Sequence, residues 1–203
     1  QQGFGDTGFR EFGFGRQRQR RGRDVRYRIT IPLEEAWRGG SSKISLENPD
    51  GTTRKINVRI PAGITHGKEL RLKGQGQAGS ERGLEGDLYL EVEIAPHALF
   101  ELEGKDVTLT LPVAPWEAAL GGEVEIPTLG GSVNMKIPAN SQSGKRLRLK
   151  GRGLPGSPAG DQFVILKIVN PAVKSDEDRK FFEKMRDKME FDPRAKLKES
   201  RHA

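Results

Sequence analysis

Seventeen residues, Ile60 to Gly76, recur from Ile137 to Gly153 with eleven identities. The first copy reads IPAGITHGKELRLKGQG and the second IPANSQSGKRLRLKGRG. A match this dense means that one structural unit was built twice. The copies extend beyond the core segment. Upstream, DVRYRITIPLEEAWRGG parallels DVTLTLPVAPWEAALGG at six of seventeen positions. Downstream, Gly86-Asp87 and LYLEVEI parallel Gly160-Asp161 and QFVILKI. Only loops differ: the first copy carries an extra turn at Asn48-Pro-Asp-Gly51, and its loop after Gly76 is longer.

Within each copy, apolar and polar residues alternate. Ile29 to Ile31, Lys43 to Leu46, Lys55 to Ile60, Glu69 to Lys73 and Leu88 to Ile94 all read as strands with one buried face. The second copy repeats the scheme. Leu33 to Trp37 has room for one helical turn, ended by Gly39-Gly40. The class is therefore all-β: two tandem β-domains with short helical turns. The expected divisions are 1–23 as linker, 24–100 and 101–172 as β-domains, and 173–203 as a helical tail. Domains this small bury little, and with 33% hydrophobic against 31% charged residues the cores should be thin.

The ends read differently. Residues 1–15 hold five glycines and four phenylalanines, a flexible linker that cannot offset its ordering entropy. Because the chain opens on Gln inside this stretch, it reads as a fragment missing an N-terminal part. Residues 16–28 hold seven arginines. Arg26 and Arg28 alternate with Val25, Tyr27 and Ile29, on the wet face of a strand. Arg16, Arg18, Arg20, Arg21 and Arg23 sit on the linker, either simply solvated or as auxiliary phosphate contacts. In the tail, Ser175 precedes three acids as an N-cap. Phe181, Phe182, Met185 and Met189 then fall at helical spacing, and Pro193 is expected to end the helix. That apolar stripe either folds back on the second copy or meets its twin in a homodimer; the dimer is the favoured reading.

Several chemistries are excluded or weak. No cysteine removes disulfides and thiolate zinc sites, and three scattered histidines make no metal centre. Neither metal nor cofactor is expected. No long apolar run or signal-peptide pattern argues for a membrane, and a cytoplasmic location is compatible. Gly74-Gln-Gly76-Gln-Ala-Gly79 and Gly151-Arg-Gly153-Leu-Pro-Gly156 satisfy G-x-G-x-x-G, but a strand rather than a helix follows each, so no helix N-terminus faces a phosphate. Gly67-Lys68 and Gly144-Lys145 lack the rest of a phosphate-binding loop. His66 gives way to Ser143 in the second copy, and His97 follows Pro96 in a connector without a triad partner. Asp87 and Asp161 recur after glycine, which suits a turn-holding role. The chain does not read as an enzyme. The net charge of +7 leaves nucleic acid or acidic partners open.

The Gly/Phe linker, the two repeat motifs, APHALFELEGKDVTLTLPV between them and PWEAALGG at the start of the second together resemble the C-terminal substrate-binding region of a DnaJ-type co-chaperone. Without CxxC, the chain is similar to the subgroup lacking a zinc insert, and most similar to the bacterial curved-DNA-binding type, which also carries PWEAALG. The resemblance implies two stacked β-sandwich-like domains, a C-terminal dimerisation helix, and two arms that hold a client. It implies unfolded polypeptides as partners, a DnaK-type chaperone reached through an N-terminal domain absent from this chain, and DNA as a further partner with nucleoid association. It also implies a shallow apolar groove on the first domain at Tyr27, Ile29, Ile44, Leu46 and Phe100. Alternation alone leaves Tyr27, Ile29, Ile44 and Leu46 open to being core. Phe100, in a charged connector, is the one where burial is least expected. The lysines by which some relatives hold an acidic chaperone tail are replaced here by Ser41 and Ser42, so that role does not carry over.

Overall fold

A computed structural model describes residues 21–47, 51–79 and 84–195. The linker arginines Arg16, Arg18 and Arg20 lie outside them. In the first repeat the elements are β1 (Val25–Ile31), α1 (Leu33–Arg38), β2 (Gly40–Glu47), β3 (Thr53–Ile60), β4 (Glu69–Leu72) and β5 (Leu88–Ile94). β6 (Phe100–Glu103) follows. The second repeat holds β7 (Asp106–Val113), α2 (Pro115–Leu120), β8 (Gly122–Thr128), β9 (Gly131–Ile137), β10 (Arg146–Leu149) and β11 (Gln162–Ile168), and α3 (Asp176–Lys188) closes the described chain. No helix among the described residues is long and apolar enough to cross a membrane.

The first repeat forms a three-stranded sheet in the order β1-β5-β4 and a separate two-stranded sheet, β2-β3. β5 is central, and Leu88, Leu90 and Val92 are fully buried. Its parallel partner is β1, in register from Val25 opposite Leu88 to Ile31 opposite Ile94. Apolar residues of β1, α1, β2, β3 and β5 share one core, including Ile29, Ile31, Ala36, Leu46, Val58 and Ile60. The second repeat mirrors this with β10-β11-β7-β6 and β8-β9.

β6 is the element that the alternation reading passed over. Phe100-Glu-Leu-Glu103 pairs antiparallel with β7, Phe100 opposite Leu109, and Gly104 turns the chain at φ +62°. Phe100 is therefore a strand residue and is only 6% exposed, which corrects the expectation of an open connector.

Each repeat is closed by the same carboxylate clasp. Asp87 Oδ1 accepts the Gly74 N–H at 2.9 Å, while its Oδ2 accepts Arg71 Nε at 2.9 Å and pairs with Arg21 at 2.9 Å. Asp24 Oδ1 in turn accepts the Asp87 N–H at 2.7 Å. Asp161, Gly151, Arg148 and Asp106 repeat the pattern. The first glycine N–H of each G-x-G-x-x-G match is thus taken by the protein's own carboxylate, and the second, Gly76 or Gly153, by the carbonyl of Gly86 or Gly160. The Gly74 N–H and then the Arg71 guanidinium hold the Asp87 carboxyl down at about 2, from an ordinary 3.8. Asp161 is lowered likewise, first by the Gly151 N–H and then by Arg148.

Tight backbone positions also repeat. Gly63 at φ +77° donates its N–H to Ala36 O, and Asn140 at φ +57° donates to Ala119 O. Asparagine is among the few side chains that tolerate this left-handed region. Gly63 has a further constraint, because a Cβ there would lie 1.8 Å from Pro155 O. Likewise the Trp37 ring reaches within 3.1 Å of a Cβ built on Gly130. These contacts join parts of both repeats in one compact unit, made of the chain through Leu109 with Pro127–Gly131 and Arg148–Val164. The second unit comprises Thr110–Ile126, Ser132–Leu147 and the chain from Ile165 onward. Compactness thus cuts across the sequence repeats.

α3 begins as its sequence signals. Ser175 Oγ accepts the Asp178 N–H at 3.1 Å, and Asp178 Oδ2 accepts the Ser175 N–H at 3.0 Å, a reciprocal cap. Lys188 is its last residue, five short of Pro193. Asp192 Oδ1 instead accepts the Arg194 N–H, starting a turn around the proline. None of its residues is buried; Phe181 is 66% and Met189 64% exposed.

Two predictions follow from the clasp and from Gly63. Because the folded Asp87 value lies below its unfolded value of 3.8, the ionised clasp stabilises the fold fully above about pH 4 and is lost as pH falls from there through about 2. Thermal melts at stepped pH should show this decline, and Asp87→Asn should flatten it; an unaltered acid limb would contradict the role. Gly63→Ala should cost about 1–3 kcal/mol, read as a lower midpoint in urea, while Asn140→Gly should stay close to wild type.

Candidate functional site

Two sheet edges run beside one another in the first repeat. Among the described residues β1 pairs only with β5, and β2 only with β3. Between them lies a cleft of about 350 Å³ lined by Arg28 to Ile31 on one side, Ser42 to Leu46 on the other, and Glu35. The lining is consecutive along each strand rather than every second residue. A cleft lined this way follows the strand edges, where backbone N–H and C=O groups point, and not only a side-chain face.

The groove residues divide when placed on this frame. Ile29, Ile44 and Leu46 line the cleft. Ile29 and Leu46 are also core, at 5% and 4% exposure, so both alternatives hold for them at once. Ile44 is half-buried and packs against the core margin. Tyr27 lies one step along β1, and its hydroxyl donates to Glu47 O at 2.9 Å, tying the end of β1 to the end of β2. It bridges the two strands.

Phe100 is not brought to the cleft. It lines a separate, mainly apolar cavity of about 360 Å³ with Leu33, His66, Ile94 and His97. The reason is local. His97 Nδ1 accepts the N–H of Leu99 at 3.0 Å and of Phe100 at 3.1 Å, and the two rings lie 5.1 Å apart. With Nδ1 accepting, Nε2 carries the proton and donates to Glu34 Oε1 at 3.0 Å. The Glu34 carboxyl is lowered, first by its own backbone N–H and, against the opposing effect of burial, by His97. Sequence reasoning saw His97 only as a histidine without a triad. A histidine accepting from the second and third residues after it has no established sequence signature. His66 is also in structural use: its Nδ1 accepts the Ile94 N–H at 3.4 Å.

The remaining candidates are scattered. Arg21 is engaged with Asp87, and Arg23 is exposed. Phe181 and Met185 are exposed on α3 and Met189 at its C-cap, with Phe182 half-buried and edge-on to Phe181 at 6.2 Å. No group of three or more His, Cys, Asp or Glu able to hold a metal occurs among the described residues.

The cleft thus combines two strand edges that have no sheet neighbour among the described residues with a small apolar floor. The DnaJ C terminal domain model matches residues 25–171. A protein named "Curved DNA-binding protein" from Coxiella burnetii (strain Dugway 5J108-111) is 49% identical over 188 residues, 88% of this chain and 60% of the relative. One of the same name from Pseudomonas putida KT2440 is 43% identical over 203 residues, 93% of this chain and 64% of the relative. Another, from Pseudomonas syringae pv. tomato DC3000, is 44% identical over 190 residues, 88% of this chain. The chain spans about three fifths of the length of these curated relatives. A cleft between strand edges, a duplicated β-unit and a match over most of the sequence lead to one conclusion: the chain belongs to the DnaJ C-terminal domain family.

Proposed function

We propose that this chain is the polypeptide-binding region of a co-chaperone, which takes exposed apolar segments of unfolded proteins and passes them to a DnaK-type chaperone. The observation that carries the reading is the cleft between β1 and β2, lined along both strand edges and floored by Ile29, Ile44 and Leu46. An extended client can add to such an edge through main-chain hydrogen bonds, which are indifferent to sequence, while the apolar floor selects hydrophobic side chains. A cleft this small buries few groups, so binding is weak and reversible, as hand-over requires. The transfer step and ATPase stimulation would belong to a domain outside this chain. The engagement of His66, His97, Asp87 and Asp161 in holding turns and strands supports a non-catalytic role.

α3 supports a dimer. Its phenylalanines and methionines remain exposed on a well-capped helix, and an uncovered apolar stripe favours a like partner. Two copies would double the client-binding clefts on one particle and raise avidity for a long unfolded chain.

A second reading is DNA binding. It is supported by the printed name of the relatives and by the net charge of +7. The readings differ in salt response, since phosphate contacts weaken steeply with salt and apolar contacts do not.

Light scattering from a chemically unfolded test protein diluted with and without this chain tests the first reading. Suppression should persist at moderate salt and should weaken about tenfold in the required chaperone ratio with Ile44→Ser, whose side chain is only half-buried and contributes little to folding. Phe100→Ser should act through stability instead, lowering the melting temperature. Suppression that vanishes at moderate salt would overturn the cleft reading. For the dimer, Phe181→Asp with Met185→Asp should give monomers in sedimentation; an unchanged sedimentation coefficient would refute it.

A further inference from the structure

The outer face of the β2–β3 hairpin gathers three exposed cations, Lys43, Lys55 and Arg59, on one two-stranded surface. Its register sets Ser41 opposite Arg59, Lys43 opposite Asn57, and Ser45 opposite Lys55, and all six are exposed. Among the described residues of the face the only acid is Glu47, at the turn end. Among the described residues none of the three cations forms an ion pair. By contrast, Arg26 and Arg28 on β1 pair with Glu69, Glu91 and Glu93.

The duplication supplies an internal comparison. In the second repeat the equivalent hairpin keeps the buried side, with Ile126 and Ile137 in place of Ile44 and Ile60. Its exposed side changes sign: Glu123 and Glu125 stand at the positions of Ser41 and Lys43, and Ser132 at that of Lys55. Only Lys136 keeps the cation of Arg59. Folding cannot require the basic face, since the same scaffold forms with an acidic one.

We propose that the outer face of β2–β3 is a contact surface for the phosphate backbone of duplex DNA. This rests on the second reading above, that the chain binds DNA, and gives that reading a place. The chemistry fits a phosphate rail better than an acidic peptide. The cations are spread over both strands, Lys43 alone of them also bordering the cleft, and hydroxyl and amide donors, Ser41, Ser45 and Asn57, fill the positions between them. Side chains of these kinds make the positioning contacts to phosphate oxygens. Outward positions on a strand recur about every 6.8 Å, twice the ~3.4 Å axial spacing of phosphates along one DNA strand. No base-reading element is needed for such binding, which is sequence-independent and salt-sensitive.

The test is anisotropy of a short labelled duplex titrated with this chain across a salt series. Wild type is compared with Lys43→Gln/Lys55→Gln/Arg59→Gln, in which all three changes are exposed, and with Lys136→Gln. The slope of log K against log salt should become shallower by about 2.7 in the triple variant, ~0.9 per lost phosphate contact, and should not change for Lys136→Gln. Equal melting temperatures exclude a folding effect. A triple variant with the wild-type slope would overturn this surface while leaving the DNA reading intact. Wild-type binding that ignores salt, or no binding, would overturn both. Loss of binding to a labelled acidic peptide in the triple variant, with the DNA slope unchanged, would give the face to a protein partner and also overturn the proposal. A slope lowered as much by Lys136→Gln would mean diffuse charge, not a surface.

Discussion

The parallel pairing of β1 with β5 is the constraint on which the first repeat depends. It joins Val25 to Leu88 and Ile31 to Ile94, residues 63 positions apart. Closing so long a loop costs entropy that only burial can offset, and β5 supplies it, with Leu88, Leu90 and Val92 wholly inside. The pairing also leaves the other edge of β1 without a sheet neighbour among the described residues. β2 turns away into its own two-stranded sheet, and the space between the two edges is the cleft. The candidate binding site is thus a by-product of how the core is closed.

The aspartate clasp shows the same economy. Asp87 and Asp161 each gather a loop N–H and an arginine, and each is itself held by an aspartate at the start of the repeat's first strand, Asp24 or Asp106. A carboxylate with several donors satisfies polar groups that a short β-loop would otherwise leave without a protein partner. Duplication copied the clasp with the strands. It did not copy the outward residues of the hairpins, and function can diverge there because packing does not decide them.

Much of this was legible in the residues. Alternation located ten of the eleven strands, because a half-buried strand must place apolar residues at every second position. Ser175 and the acids after it marked the start of α3. The repeat marked Asp87 and Asp161 as structural because both recur; His66 does not recur, yet it is structural too, since Ser143 accepts the Ile168 N–H where His66 accepts that of Ile94. The missed strand was β6. FELE alternates and Gly104 turns, but four residues among charged neighbours are too short to stand out, and so Phe100 was misjudged as open. The end of α3 was misplaced for a related reason: Pro193 prohibits a helix beyond it without requiring one up to it.

By itself the sequence determined the family, the duplicated β-architecture and the capped C-terminal helix, because these follow from periodicity and local chemistry. It named Ile29, Ile44 and Leu46 but left open whether they are core or groove. Only the tertiary structure decided that they are both, by setting two unpaired strand edges side by side. It likewise sent Phe100 to a different cavity, through two backbone hydrogen bonds to His97, and left Lys43, Lys55 and Arg59 without ion pairs among the described residues. Which edge is covered and which charge is answered depends on residues distant in the chain, and local pattern carries no record of them.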